Sequence, residues 1–351
     1  TFQLNLPIVP ITDLTIRNNN LIASTQGRSF WILDDLTMIH QYKPNDMKKD
    51  FHLFTPRTTF RTSGGNEESK LVGQNPPTGV VLQYHIAHEI EKESIVKMEF
   101  LDDNENIIRT ITNQKSKSAK TFGGSYNPVK IPAKKGMNRF VWNFRIDDIK
   151  LVPDVSFFGG YSGYRVGPGQ YSVRLTMGEE STTQSFKIQQ DPRIDIRNRD
   201  QNEHQSLMAD LYSQINDLHS SIVKARSIRS QIQKMNERLK EKDAVQDLIQ
   251  SGESAIEAID NWEGNVVQTK METFQDVVNF LNRLNAHMLN LLSTIDGSDP
   301  PLTQGQRQRY ADLSEEWESY KKKLNQIMNN EISEFNRLYK KEDLPAVIIP
   351  E

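Results

Sequence analysis

Asp34 and Asp35 are the first adjacent pair of carboxylates in the sequence. Two carboxylates flanking a glycosidic bond, one as acid and one as base or nucleophile, are the equipment of glycoside hydrolysis. They close the run Phe30-Trp31-Ile32-Leu33, which reads as a strand. Successive strand residues point to opposite faces, so the two carboxylates do not converge on one substrate. A structural role follows, with Asp34 expected to accept hydrogen bonds from turn N–H groups. His85-Ile86-Ala87-His88-Glu89 places two imidazoles and a carboxylate close together. The spacing is not that of a helical H-E-x-x-H zinc site, and on a strand positions i and i+3 face opposite ways. The run from Gly159 to Gly169 is rich in glycine. It lacks the Lys-Ser/Thr of a phosphate loop, and a strand rather than a helix follows it. What it does hold is Tyr161, Tyr164 and Arg165, residue types enriched in binding hot spots. These three form the candidate partner-binding loop, because long loops concentrate functional residues. The plain alternative is an inter-strand loop clamped by Phe157 and Phe158. Lys115, Lys117, Lys120, Lys130, Lys134 and Lys135 make a basic loop with only Phe122 and Tyr126 interleaved, a solvated loop rather than a nucleic-acid site. No residue is assigned a catalytic, cofactor-binding or metal-ligating role, and no cofactor is expected.

Composition narrows the partners. The 351 residues are 36% hydrophobic and 25% charged with a net charge of -3, which gives no electrostatic reason to expect nucleic acid. There are no cysteines, so disulfides, thiolate catalysis and Cys-ligated zinc are excluded. No apolar run approaches the roughly 20 residues of a membrane-spanning helix. Thr1-Phe2-Gln3-Leu4 carries neither initiator Met nor basic and apolar leader regions, so the sequence is expected to begin inside a longer precursor.

The elements that must position these residues change period twice. Residues 1–43 read as strands, Ile11 to Ile16, Leu21 to Thr25 and Ser29 to Leu33, with Asn18-Asn19-Asn20 as a turn. Residues 44–78 are polar and rich in Gly and Pro, a linker. Within 79–192 short runs alternate apolar and polar, from Val80 to Ile86 at one end to Thr182 to Gln189 at the other, the pattern of an antiparallel β-sandwich. Phe140, Trp142 and Phe144 point to its core, as do Tyr171, Val173 and Leu175. Residues 198–341 switch to helical spacing. Leu207, Leu211, Ile215, Leu218, Ile222, Ala225, Ile232, Met235 and Leu239 form a seam close to a coiled-coil register. A second helix spans Ala244 to Trp262, weakened by Gly252. A third runs from Phe274 to Ile295, with Val278 and Leu281 on its seam. Thr303 caps a fourth that carries Trp317 and Tyr320 as core. Short connections favour an up-down antiparallel bundle. Residues 342–351 form an extended apolar tail. The fold class expected is thus multidomain α+β: strand remnant, antiparallel sandwich, helix bundle.

The segment Ala23-Ser24-Thr25-Gln26-Gly27-Arg28-Ser29-Phe30-Trp31-Ile32-Leu33-Asp34-Asp35-Leu36 resembles the closing strands of the β-propeller in bacterial BNR/Asp-box, sortilin-like (VPS10-like) proteins labelled glycosyl hydrolases. Gln26 stands where that family usually has His. The resemblance continues in order through Pro76-Pro77-Thr78-Gly79-Val80, through Gly136-Met137-Asn138-Arg139-Phe140-Val141-Trp142-Asn143, and into Gln189-Gln190-Asp191-Pro192-Arg193 ahead of the helices. It implies an Ig-like module after a propeller remnant, and an extracytoplasmic location: secreted, periplasmic or at the cell surface. The family's ligand or catalytic groups lie on the propeller, so none transfers to a residue here.

The expectation is a non-catalytic accessory or interaction region that buttresses the propeller or docks a protein partner. The alternatives are part of a glycosyl hydrolase or peptidase with its active site in the missing propeller, and a carbohydrate-binding module that takes a glycan through Tyr161 and Tyr164.

Overall fold

The computed structural model describes residues 6–62, 75–114, 119–121, 124–126, 128–155, 159–239, 245–270, 273 and 275–342. The chain is mixed α+β and divides into two compact units. The first comprises Thr1–Lys115, Val129–Ile146 and Arg165–Asp195; the second comprises Ser116–Pro128, Asp147–Tyr164 and Ile196–Glu351.

The first unit opens with β1 (Ile11–Arg17), β2 (Asn20–Thr25) and β3 (Phe30–Leu33), an antiparallel meander in that order. Asn18 and Asn19 join β1 to β2 with φ of 49° and 61°. Two left-handed residues match the right-handed twist of a two-residue hairpin, and Asn tolerates that geometry. A short helix α1 (Thr37–Gln41) follows, then β4 (Phe51–Leu53), β5 (Thr59–Arg61), β6 (Val80–Ile86), β7 (Val96–Leu101) and β8 (Ile107–Thr112). The strands β9 (Ala119–Thr121) and β10 (Gly124–Tyr126) pair with each other and belong to the second unit. Next β11 (Gly136–Trp142), β12 (Gly169–Met177) and β13 (Glu180–Gln190) complete two sheets of the first unit. One has the order β11-β6-β4 and the other β5-β13-β12-β7-β8, with β5 parallel to β13.

Trp142 joins these two sheets. Its ring stacks on Phe100 of β7 at 4.2 Å and meets Phe186 of β13 edge-on at 6.0 Å. It is 1% exposed, and its Nε1 donates to the Arg145 carbonyl at 2.8 Å. Val173 and Leu175 are buried as their alternation requires, Phe140 and Tyr171 on the same runs are half-buried, and Phe144 is buried past the end of β11 with φ 64°. Gly79 explains how β6 begins beside this ring. A Cβ there would lie 2.3 Å from the Trp142 carbonyl oxygen, and its φ of +143° is one that side chains resist. Two of these strands, β4 and β5, fall inside residues 44–78, which composition reads as linker. Three residues each are too few to establish a period. Their pairing to β6 and β13 comes from chain distant in sequence.

The second unit is built on α2 (Asn198–Leu239), α3 (Gln246–Val266), α4 (Asp276–Asn279), α5 (Leu284–Asp296), α6 (Gln304–Ile327) and α7 (Ser333–Lys341), with a π turn over Met328–Ile332 between the last two. The α2 seam is buried: Leu211, Ile215, Leu218, Ile222, Ala225 and Ile232 are each 0% exposed. Thr303 caps α6 in a reciprocal box, accepting from the Gln306 N–H while the Gln306 carboxamide accepts from the Thr303 N–H.

Two helical expectations change. The third helix is interrupted, because Phe280 and Arg283 are extended between α4 and α5. Val278 and Leu281, placed on its seam, are 68% and 75% exposed. Asp276 opens α4, its carboxylate taking the Thr273 N–H and hydroxyl and the Asn279 amide. Gly252 is not a defect in α3 but a close-approach position. A Cβ there would stand 2.6 Å from the Asn236 side chain of α2, which donates to the Ile249 carbonyl at 3.1 Å. Phe274, Phe157, Phe158, most of the basic loop 115–127 and residues 343–351 lie outside the described residues.

Candidate functional site

Asp35, not Asp34, takes the turn. It has φ 61°, and its Oδ1 accepts from the Thr37 N–H at 3.2 Å and the Asn19 amide at 3.4 Å. Its own N–H donates to Asn20, and Arg57 lies 3.9 Å away. Asp34 is exposed. The hydrogen bonds tie the end of β3 to the β1–β2 turn and the start of α1, and Arg57 comes from the segment between β4 and β5. His85 stands opposite His52 across β6 and β4, while His88 approaches Asp50 at 3.5 Å. Among the described residues no group of three or more His, Asp or Glu side chains is arranged to hold a metal.

The candidate partner-binding loop is placed mostly inward. Tyr161 is 1% exposed, and its hydroxyl donates to the Val152 carbonyl at 2.9 Å. Its ring meets His219 of α2 edge-on at 6.0 Å. Burial pushes the phenol up to about 12, more than its backbone bond offsets. Tyr164 is half-buried against Tyr212 at 5.7 Å, and burial again raises its phenol to about 12. Both tyrosines belong to the second unit. Arg165 belongs to the first, half-buried and bridged to Arg145. The structure therefore brings Tyr161 and Tyr164 to one helix of the second unit, while Arg165 is part of the first.

The stretch Asp147–Tyr164 is laced along α2 at helical spacing. Tyr212 donates to the Asp147 carbonyl at 3.0 Å, Asn216 Oδ1 accepts from the Lys150 N–H at 2.8 Å, and Ser220 accepts from Lys150 Nζ at 2.8 Å. His219, 0% exposed, sits at the centre. Its Nδ1 lies 2.6 Å from the Lys150 carbonyl, which can only accept, so the proton resides there. Its Nε2 lies 2.6 Å from the Asn285 carboxamide oxygen. An imidazolium satisfies that contact directly; the neutral ring satisfies it once the amide turns over and donates. Burial lowers the ring's pKa, against the two hydrogen bonds that favour the proton. No local motif announces this histidine in the sequence. It sits beside the apolar seam, and its partners are 66 and 69 residues away.

Two clefts remain. One of about 490 Å³ in the second unit is lined by Asp154, Arg226, Arg229, Asp260, Glu263 and Thr269. Glu263, 3% exposed, takes Arg226 at 2.6 Å and Arg229 at 2.8 Å; Arg229 also bonds Asp260. Both arginines there are committed to Glu263 and Asp260. The other, about 530 Å³ in the first unit, is bordered by Asp50, Glu89, Glu91, Glu179 and Glu180 beside Ile95 and Met177.

Acid catalysis on a glycoside needs a carboxyl whose pKa is raised. Among the described residues every displaced carboxylate moves the other way. Lys49 lowers Asp46, Arg307 lowers Glu203 and Arg337 lowers Glu334, while Arg193 holds Asp191 down at about 2. At Glu99 burial works upward, but hydrogen bonds from Lys97 and Arg174 bring the group below its usual value. This is the electrostatics of ion pairs.

No family model matches the chain, and no curated protein matches it. Among solved structures, a chain titled "pT26-6p" overlaps 79% of this chain at 11% identity with a TM-score of 0.13. The overlap spans about half, 49%, of that chain. A likeness that slight carries no argument about fold or function.

Proposed function

We propose that this chain is a non-catalytic interaction region of a secreted or surface-associated bacterial β-propeller protein. In this reading β1–β3 are closing strands of the propeller. The two sheets around Trp142 are an Ig-like sandwich, and the helices are an antiparallel bundle. Together they buttress the propeller or dock a protein partner.

The observation that carries the proposal is the β1–β3 meander. Leu14 and Ile16 lie on one face, 58% and 60% exposed; Phe30 and Ile32 lie on the other, 74% and 58% exposed. Three strands are marginal alone. Apolar residues on both faces suit a sheet covered on both sides, as a blade between neighbouring blades is, and contiguous exposed apolar surface marks interaction sites. The downward carboxylate shifts support the non-catalytic part of the reading. The glycan alternative loses its aromatic platform, since the Tyr161 ring is buried. The purified chain is expected to hydrolyse neither glycosides nor peptides. Hydrolysis that a point substitution within residues 6–342 abolishes would overturn the proposal.

A further inference from the structure

The outer edge of β1 is complementary to itself. Because Asn18 and Asn19 form a two-residue turn, Arg17 and Asn20 flank it as a hydrogen-bonded pair. Hydrogen-bonded pairs then alternate, so the backbone groups of Asp13, Thr15 and Arg17 face β2 and those of Leu14 and Ile16 face away. The Leu14 N–H accordingly has no strand partner and donates to the carboxylate of its neighbour, Asp13, at 2.9 Å. All seven residues of β1 are exposed, and among the described residues β1 ends the sheet. The only register shift falls between Ile11 and Asp13, leaving Asp13 to Arg17 regular.

We infer that β1 pairs antiparallel with β1 of a second copy of this chain, about a two-fold axis through Thr15. In this register Leu14 and Ile16 exchange N–H···O=C bonds with Ile16 and Leu14 of the second copy. Asp13 stands opposite Arg17 of the second copy, and Arg17 opposite its Asp13. The Asp13 carboxylate gives up the Leu14 N–H to a carbonyl and gains a guanidinium. Leu14 and Ile16 from both copies share one face and extend a single apolar row across the axis. Sliding by two residues in either direction keeps the outward groups paired but sets Asp13 or Arg17 opposite Thr15 and loses both ion pairs. Charges on an edge strand ordinarily deter pairing. Here they are opposite in sign and symmetric about Thr15, so they select one partner and one register. An isologous contact of this kind closes at two copies. The inference goes beyond the function proposed above and stands apart from it, because it concerns the edge of β1 and not the faces of the meander.

Light scattering and sedimentation of the full chain over a concentration series test it. The wild type is expected to dimerise reversibly. Asp13→Arg and Arg17→Asp each set like charges opposite one another twice and are expected to weaken the dimer about tenfold. The double exchange Asp13→Arg with Arg17→Asp recreates both ion pairs and is expected to restore it. Leu14→Pro removes an outward N–H that β2 does not use and is expected to give a folded monomer by circular dichroism. A wild type that stays monomeric to its solubility limit overturns the inference. So does a dimer that either single charge reversal leaves unchanged, or one the double exchange fails to restore.

Discussion

Along α2, Leu211, Ile215, Leu218 and Ile222 are each 0% exposed; along β1 and β3, Leu14, Ile16, Phe30 and Ile32 are 58% exposed or more. Both stretches carry a clean apolar pattern. The helix finds its complement within the second unit, down to a histidine with both ring nitrogens bonded. The meander finds none among the described residues. Apolar periodicity thus reports that a surface will be covered without saying by what. The proposed function puts an outside partner where internal cover is missing.

The contrast can be broken most sharply in the helices. Trp317 is 0% exposed, with its Nε1 donating to Asp217 at 3.2 Å. Trp317→Ala should cost about 3–5 kcal/mol in chemical denaturation. Gly252→Ala sets packing against propensity. Helix propensity alone would favour Ala by about 1 kcal/mol, but overpacking against Asn236 should win, for a net loss of about 1–3 kcal/mol. A measured gain would show that α2 and α3 yield easily.

His219 adds a pH dependence. Its pKa is lowered in the folded chain, so below the unfolded value near 6.5 the unfolded state binds more protons. Stability should therefore fall with acidification, by up to about 1.4 kcal/mol per pH unit, from about pH 6.5 down to the folded pKa. His219→Gln should flatten that part of the profile. Next in size is Thr303→Ala, which breaks the capping box of α6 and should cost about 1 kcal/mol in the same denaturation. Last, Phe30→Ser in the exposed meander should stay within about 0.5 kcal/mol. A larger loss would mean that Phe30 is covered within the chain and that the contrast is false.

Much of this was legible before any coordinates. The α2 seam, the Thr303 cap, the Asn18-Asn19 turn and the core direction of Trp142 follow from period and residue type. What was not legible depends on chain distant in sequence. β4 and β5 are too short to show a period, Gly252 is explained only by Asn236, and Tyr161 turns inward because His219 and Val152 meet it there. The carboxylate of the turn was placed one residue early. Asp35 rather than Asp34 adopts the left-handed backbone that lets its side chain reach the Thr37 N–H.

Hydrogen exchange across residues 11–33 tests the account most directly. It is measured on this chain at low concentration and again in the longer gene product proposed to carry the propeller. The account predicts that the meander exchanges quickly in the chain alone and is slowed at least about tenfold in the longer protein, where neighbouring sheets cover both faces. Equal exchange in the two would contradict it.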